Sequence, residues 1–268
     1  MGTPIGNLED ITLRAVRVLK EADLIACEDT RQTRKLLDRY GISKPTVSYH
    51  EHNEAQRSAE LTAKLLDGTT VALVSDAGMP LISDPGYRLV RAAIDSGIRV
   101  EAVPGASAVT TALAASGLAT DSFYFGGFLP AKSGQRLRAL EAFKDHTSTL
   151  IFYEAPHRIV DTLAAVEQAL GDRPVVVARE LTKIHEEFLR GTAAEIRAVL
   201  AARESVKGEI TLLIGRPTGA APDDTPLAEA VEACVAEGMS RMEAIKTVAH
   251  RRGLSKREVY GDLEKLKR

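Results

Sequence analysis

The chain has 268 residues, 44% hydrophobic and 27% charged, with a formal net charge of −2. That is room for two ordinary domains or one large one, and it is too apolar for extensive disorder. No run of about 18 apolar residues occurs, MGTPIGNLED lacks the basic start and apolar stretch of a secretory signal, and Cys27 and Cys234 form no Cys-x-x-Cys, so the composition predicts a cytoplasmic protein without membrane span or zinc site.

Apolar runs and amphipathic stretches alternate. In chain order they predict a helix over 12–21, a strand over 23–27, helices over 31–40 and 55–67, a strand over 70–75, a helix over 86–96, a strand over 98–103 and a helix over 106–116. That half reads as parallel βαβ units. Beyond residue 117, strands over 123–128, 149–153, 174–178 and 209–214 flank helices over 135–144, 157–170 and 193–203, and 187–190 with 209–214 read as hairpin partners. The change of texture places a boundary at Ala115–Asp121, between an α/β domain over 1–116 and a second over 122–216. PTGAAPDDTP, residues 217–226, is a linker by composition. Residues 227–268 form a helical unit, with Gly238 and Gly253 as stops and Ser240/Glu243 and Ser255/Glu258 as capping boxes. Helix, short glycine turn, helix is a helix-turn-helix pattern. Residues 251–268 carry seven Lys/Arg against three Asp/Glu, roughly +4, while residues 1–226 sum to about −4. Charge segregated to the tail suits a phosphate-facing module, and a solvated bundle or a dimer contact is the plainer alternative. Aromatics at 4%, with no Trp, disfavour a base-stacking platform.

The familiar phosphate and nucleophile signatures are missing: no Gly-x-Gly-x-x-Gly after a strand, no Gly-x4-Gly-Lys-Ser/Thr, no Gly-x-Ser-x-Gly. His50 and His52, read as alternate positions of a strand, point to opposite faces and make no metal site. What remains is three loops rich in Pro and Gly: Gly2–Asn7, Ser75–Gly86 (SDAGMPLISDPG) and Val103–Ala108. Glycine lets a backbone approach a ligand and proline fixes the path beside it. The last two follow strands, where ligands of parallel α/β sheets bind. They predict a pocket of main-chain groups for a neutral or zwitterionic ligand with a purine, not a polyphosphate.

The ordered set TPIGNLEDIT, EDTR (28–31), VSDAGMPLISDPG, VPGASA, GFLPAK (127–132), FYEAPHR (152–158), RELTK (179–183) and KGE (207–209) resembles the small-subunit ribosomal-RNA methyltransferases of the tetrapyrrole methylase family, over roughly residues 2–216 and in the helical tail. The resemblance implies a kinked two-domain α/β fold, usually homodimeric, with S-adenosylmethionine in the cleft between domains. It implies 2′-O-methylation of a decoding-region cytidine in the RNA of the 30S particle. Asp76, Ala77, Gly78 and Pro80, with Ile82 and Ser83, would then wrap the methionine and ribose of the cofactor. Pro4 would cap one side, and Pro104, Gly105 and Ser107 would support it. Phe152, Tyr153, Ala178, Glu209, Ile210 and Thr211 would form the adenine side. The family also has an apolar strand ahead of Thr-Pro-Ile-Gly-Asn, where only Met1 and Gly2 stand here. This reads as a start placed downstream or a truncation, and the expectation is unpaired backbone in the core and a displaced Pro4 loop.

A ribose hydroxyl needs a base or a nearby charge to become a good nucleophile. Glu28, Asp29, Glu154, Glu180, Lys183 and Lys207 are unranked candidates, with backbone bonding or pairing to Arg31 and Arg158 as the alternative for Glu28 and Glu154. Arg31, Arg34, Lys35 and Arg39 fall on one face of a helix, opposite Leu36, Leu37 and Tyr40, and form a candidate RNA stripe. Lys132 and Arg136 extend it, with Arg251, Arg252, Lys256 and Arg257 in the tail. Two rivals stay open: a corrin or tetrapyrrole-precursor methylase, which needs no basic tail, and a non-catalytic RNA-binding assembly protein.

Overall fold

The computed structural model describes residues 1–217, 226–236, 238–251 and 254–265. Contacts divide the chain into two compact units, 1–217 and 218–268.

The first unit holds two sheets, each the floor of one lobe. Strands β1 (Leu24–Cys27), β2 (Thr46–Ser48) and β3 (Val71–Val74) form a parallel sheet in the order β2-β1-β3. Helices α1 (Leu13–Glu21), α2 (Thr30–Arg39), α3 (Glu54–Leu66) and α4 (Tyr87–Asp95) connect and cover it. Side chains cap the starts of α1 and α2: Thr12 accepts the Ala15 amide at 3.0 Å and Asp29 accepts the Arg31 amide at 2.8 Å. The core of this lobe is Leu19, Ile25, Cys27, Leu37, Ile42 and Val74 on one face and Tyr49, Leu61 and Leu89 on the other.

Two strand assignments differ from the sequence reading. Thr46–Ser48 pairs with β1 although three residues carry no periodic signal. Residues 98–103 form no strand, because a strand needs a continuous ladder and this segment receives the single amide of Gly2, on the Val103 carbonyl at 2.9 Å. The Met1 amino group reaches the Leu73 carbonyl at 2.8 Å, and Thr3 and Gly78 exchange two backbone bonds at 2.9 and 3.1 Å. The Pro4 loop is therefore stapled in place rather than displaced.

The second sheet, in the order β4-β5-β8-β6-β7, contains β4 (Phe123–Phe128), β5 (Thr149–Glu154), β6 (Val175–Arg179), β7 (Glu187–Gly191) and β8 (Ile210–Ile214). β4 and β5 are parallel, and all other pairs are antiparallel. The hairpin joins β6 to β7, and β8 inserts between β5 and β6 instead of pairing with β7. All five residues of β8 are buried, which is why Ile-Thr-Leu-Leu-Ile reads as a continuous apolar run. Helices α6 (Ser133–Glu141), α7 (Ile159–Leu170) and α8 (Ala193–Ala201) enclose one core around Leu140, Leu150, Phe152, Leu163 and Leu212. The other face is covered by α5 (Ala108–Ser116), whose Val109, Ala112 and Leu113 pack with Ile151, Val176, Ala178 and Leu213. The sequence grouped α5 with the first domain; its packing ties it to the second sheet. Ile5 joins the same cluster.

The second unit is three helices, α9 (Leu227–Ala236), α10 (Arg241–Arg251) and α11 (Lys256–Lys265), around Val231, Cys234, Ile245, Val248 and Val259. Gly238 takes φ 97° before α10. Both capping boxes form: the Glu243 carboxylate accepts the Ser240 amide at 3.1 Å, and the Glu258 carboxylate accepts the Ser255 amide at 2.7 Å. Gly253 and linker residues 218–225 lie outside the described residues. Among the described residues, no helix is long and apolar enough to cross a membrane.

Candidate functional site

A cavity of about 300 Å³ opens between the two lobes of the first unit. Ile5, Ala77, Met79, Ile82, Ser83, Asp84, Ser107 and Ala108 line one side, and Phe128, Tyr153–Pro156, Leu181 and Gly208–Thr211 line the other.

The first wall is the long loop after β3. Its density of special residues has a structural reason: Gly78, Leu81, Ser83 and Gly86 all have positive φ, at 78°, 72°, 66° and 139°. Leu81 and Ser83 hold that region without being glycine, a strain of about 1–3 kcal/mol each that the surrounding fold must offset. Gly86 combines its φ with crowding, since a Cβ there would sit 2.7 Å from Leu81 Cδ1 and 3.0 Å from Leu73 Cδ2. Gly2 and Gly105 meet backbone to backbone, where a Cβ on Gly105 would lie 2.8 Å from Gly2 Cα. The N-terminal segment thus fastens both loops of this wall. It also reaches the other lobe, where the Asn7 amide donates to Thr182 Oγ1 at 3.0 Å.

The second wall is set by strand ends of the larger sheet. In β4 the register shifts between Phe125 and Phe128, with Gly127 at φ 64°, and Phe128 comes to the rim beside Tyr153, ring centroids 5.6 Å apart. After β6, Glu180 and Thr182 have φ 53° and 65°. Glu180 Oε1 accepts Lys183 Nζ at 2.8 Å and the Glu209 amide at 2.9 Å, and Lys183 also donates to Glu209 at 2.8 Å. Gly208, at φ 92°, leaves the space that the Glu180 side chain fills.

The acidic groups of the two walls differ in their partners. In the first lobe burial pushes the Glu28 carboxyl up, and Asp84 and Asp76 add to it. Burial also raises Asp76 and Asp84, the latter against a hydrogen bond from Ser75. Asp29 differs: the Arg31 guanidinium holds it down at about 2. In the second lobe Lys183 lowers Glu180, and Arg203 with Arg179 lowers Glu187 to about 2. Glu154 has no exposed side-chain surface. It accepts from the Ala155 amide at 2.7 Å, from Thr162 Oγ1 at 2.6 Å and from Arg158 Nη2 at 3.2 Å, and Arg158 Nε stands 3.0 Å from Oε1 as its ion-pair partner. Three hydrogen bonds and the ion pair with Arg158 commit this carboxylate to its own lobe.

Of the residues expected to hold a cofactor, Ala77, Ile82, Ser83, Ser107, Tyr153, Glu209, Ile210 and Thr211 line this cavity together. Pro4, Gly78 and Pro80 are buried beside it, Asp76 accepts the Asp29 amide at 2.9 Å, and Pro104 and Gly105 form the seat of Gly2. Phe152 and Ala178 point into the two cores of the second sheet. Of the candidate bases, Glu154 lines the cavity but is fully engaged, Lys183 donates to two carboxylates, Asp29 caps α2, and Glu28 stands at the end of β1. The sequence reading passed over Asp84, Phe128, Leu181 and Gly208 as lining residues; the Asp-Pro-Gly that ends the loop was the available signal for Asp84.

Arg31, Arg34, Lys35 and Arg39 are exposed on α2, opposite buried Leu36 and Leu37. Arg34 and Arg39 carry no ion pair among the described residues. Lys132 is exposed, whereas Arg136 is buried and donates to the Ala131 carbonyl at 3.2 Å, bracing its own loop instead of facing solvent. Lys256 and Arg257 are exposed on α11, and Arg252 and the Arg251 side chain lie outside the described residues. His50 and His52 sit in a turn after β2, not on a strand, with ring centroids 5.9 Å apart. Among the described residues, no group of three or more His, Cys, Asp and Glu side chains is arranged to hold a metal ion.

Residues 1–197 match the model of the tetrapyrrole (corrin/porphyrin) methylases. A protein of Halalkalibacterium halodurans named ribosomal RNA small subunit methyltransferase I is 53% identical, covering 97% of this chain and 92% of its own length. One of the same name from Mesorhizobium japonicum is 49% identical over 100% of this chain and 91% of its own. The crystal structure of a uroporphyrin-III-C-methyltransferase from Thermus thermophilus superposes with a TM-score of 0.57 at 21% identity, over 80% of this chain and 91% of that one, a likeness of fold alone. The chain belongs to the tetrapyrrole (corrin/porphyrin) methylase family.

Proposed function

We propose that this chain transfers the methyl group of S-adenosylmethionine to the 2′-hydroxyl of a decoding-region cytidine in small-subunit ribosomal RNA. The observation that carries the reading is near-full-length identity of 53% and 49% to relatives named for small-subunit ribosomal RNA methylation, because a fold shared with porphyrin methylases does not choose the substrate.

The cavity fits the donor. Among the described residues no Lys or Arg lines it, so its walls offer no cation to a polyphosphate. Phe128, Tyr153, Ile5 and Leu181 supply flat and aliphatic surface for a nucleoside, and Asp84 supplies negative charge for a sulfonium. When bound, the donor supplies an activated methyl carbon for in-line displacement. The protein's part is to position and to exclude water: the strained Leu81–Ser83 turn holds one side, and the Glu180–Lys183–Glu209 brace holds the other. The exposed cations of α2 supply the phosphate contacts that bring a large RNA to the cavity mouth. The chain is expected to act as a homodimer on the 30S particle.

The test is transfer of a labelled methyl group to small subunits lacking the modification, followed by nucleotide mapping and ribose analysis. Label at the 2′-oxygen of one cytidine supports the reading. Label on a tetrapyrrole precursor and none on the subunit would make the chain a small-molecule methylase.

A further inference from the structure

Three carboxylates line the cavity: Asp84, Glu154 and Glu209. Each needs a lone pair directed at the reacting hydroxyl to act on it. Glu154 is buried and committed to its own lobe, with three hydrogen bonds and the Arg158 guanidinium 3.0 Å from Oε1. Glu209 is held by Lys183 at 2.8 Å with its side chain 73% exposed, so it points to the rim and carries its own cation. Asp84 has no ion pair among the described residues, and the nearby Ser75 hydroxyl favours its charged form. The chain spends two left-handed non-glycine residues, Leu81 and Ser83, and the crowded Gly86 to place it. Resting on the functional reading above, we propose that Asp84 is the proton acceptor of the transfer, taking the proton of the hydroxyl that receives the methyl group.

The step balances without a further reactant. The oxygen–carbon bond forms as the carbon–sulfur bond breaks with its electron pair left on sulfur, and the hydroxyl proton passes to the Asp84 carboxylate. The surroundings suit a proton acceptor. Asp76 faces Asp84 from its own loop and Glu28 from the end of β1. Tyr153 faces it from β5, where burial and then the Asp84 charge raise the phenol. Desolvation first, and the Asp76 carboxylate after it, hold its proton affinity above that of an exposed aspartate against the Ser75 hydroxyl, which moves it toward the working pH.

The experiment uses the full chain with Asp84→Asn and Asp84→Glu. Two readouts precede any turnover: calorimetry with S-adenosylmethionine, and carboxyl NMR titration of the ligand-free protein with 13C-labelled aspartate. The expected results are donor affinity within about tenfold of wild type and a titration above the ordinary aspartate range that Asp84→Asn removes. Single-turnover transfer to small subunits is expected to fall about 100-fold or more in Asp84→Asn, with partial recovery in Asp84→Glu. The wild-type rate should rise with pH through one ionisation, and the residual rate of Asp84→Asn should not. An Asp84→Asn rate within threefold of wild type, or an Asp84 that titrates as an exposed aspartate, overturns the proposal and leaves the functional reading standing. A wild-type chain that binds the donor but methylates no subunit overturns both.

Discussion

The two lobes that meet at the cavity hold their carboxylates in opposite ways. The second lobe neutralises its acids: Glu154 with Arg158, Glu180 and Glu209 with Lys183, Glu187 with Arg203 and Arg179. The first leaves Glu28, Asp76 and Asp84 without an ion pair of their own, and burial raises all three. A wall of closed ion pairs is rigid and electrostatically quiet. A wall of unneutralised acids is destabilised by itself and favours a cation. The comparison assigns support to one lobe and charge to the other.

The largest expected effect comes from breaking the quiet wall. Glu154→Ala leaves Arg158 and the Thr162 hydroxyl unpaired in a buried site, and chemical denaturation should show a loss of about 3–5 kcal/mol. A loss under 1 kcal/mol would mean Glu154 is not the brace described. Next is Gly208→Ala, which puts a side chain at φ 92° and into the space of Glu180. It should cost about 1–3 kcal/mol and weaken donor binding, and a variant as stable as wild type would remove the reason given for that glycine.

Smaller but more diagnostic are two substitutions of opposite sign. Glu187 lies below its ordinary value, so its contribution is complete above about pH 4.5 and is lost as pH falls towards 2; Glu187→Gln should lower Tm at pH 7 and flatten that acid limb. Asp84 lies above its ordinary value, so its destabilising effect builds as pH rises from the unfolded-state value and is complete above its raised value. Asp84→Asn should raise Tm at pH 7, and the difference should vanish below about pH 3.9, where both states hold the proton. Scanning calorimetry across pH checks both, and equal signs would erase the asymmetry. The smallest effect on the fold is expected from Arg34→Glu with Lys35→Glu. Stability should hold within about 0.5 kcal/mol while binding to small subunits weakens and its log–log salt slope shrinks by about 1–2. An unchanged slope takes α2 off the RNA face.

Much of this was legible in the residues. Alternating elements, the Asp29 cap, both capping boxes of the helical tail and the position of the long Asp-Pro-Gly loop follow from local chemistry. What stayed hidden depends on neighbours distant in sequence. Residues 98–103 have strand composition, yet only a hydrogen-bonding partner makes a strand. The apolar α5 could have covered either sheet, and Arg136 gives no sign in sequence that its charge turns inward to Ala131. The same limit explains the base. Six candidates were indistinguishable as letters and Asp84 was not among them; it emerges because, of the three carboxylates lining the cavity, Glu154 is held by Arg158 and Glu209 by Lys183, while Asp84 has no ion pair among the described residues.

The central claim is that the unneutralised wall and the braced wall together form the donor site. Titration calorimetry of the full chain with S-adenosylmethionine tests it most directly, at pH 7 and again at about pH 4. The account predicts one site per chain, with affinity that falls at the lower pH as the acids of the first lobe take up protons. A folded sample that shows no binding at pH 7, or equal affinity at both, would contradict it.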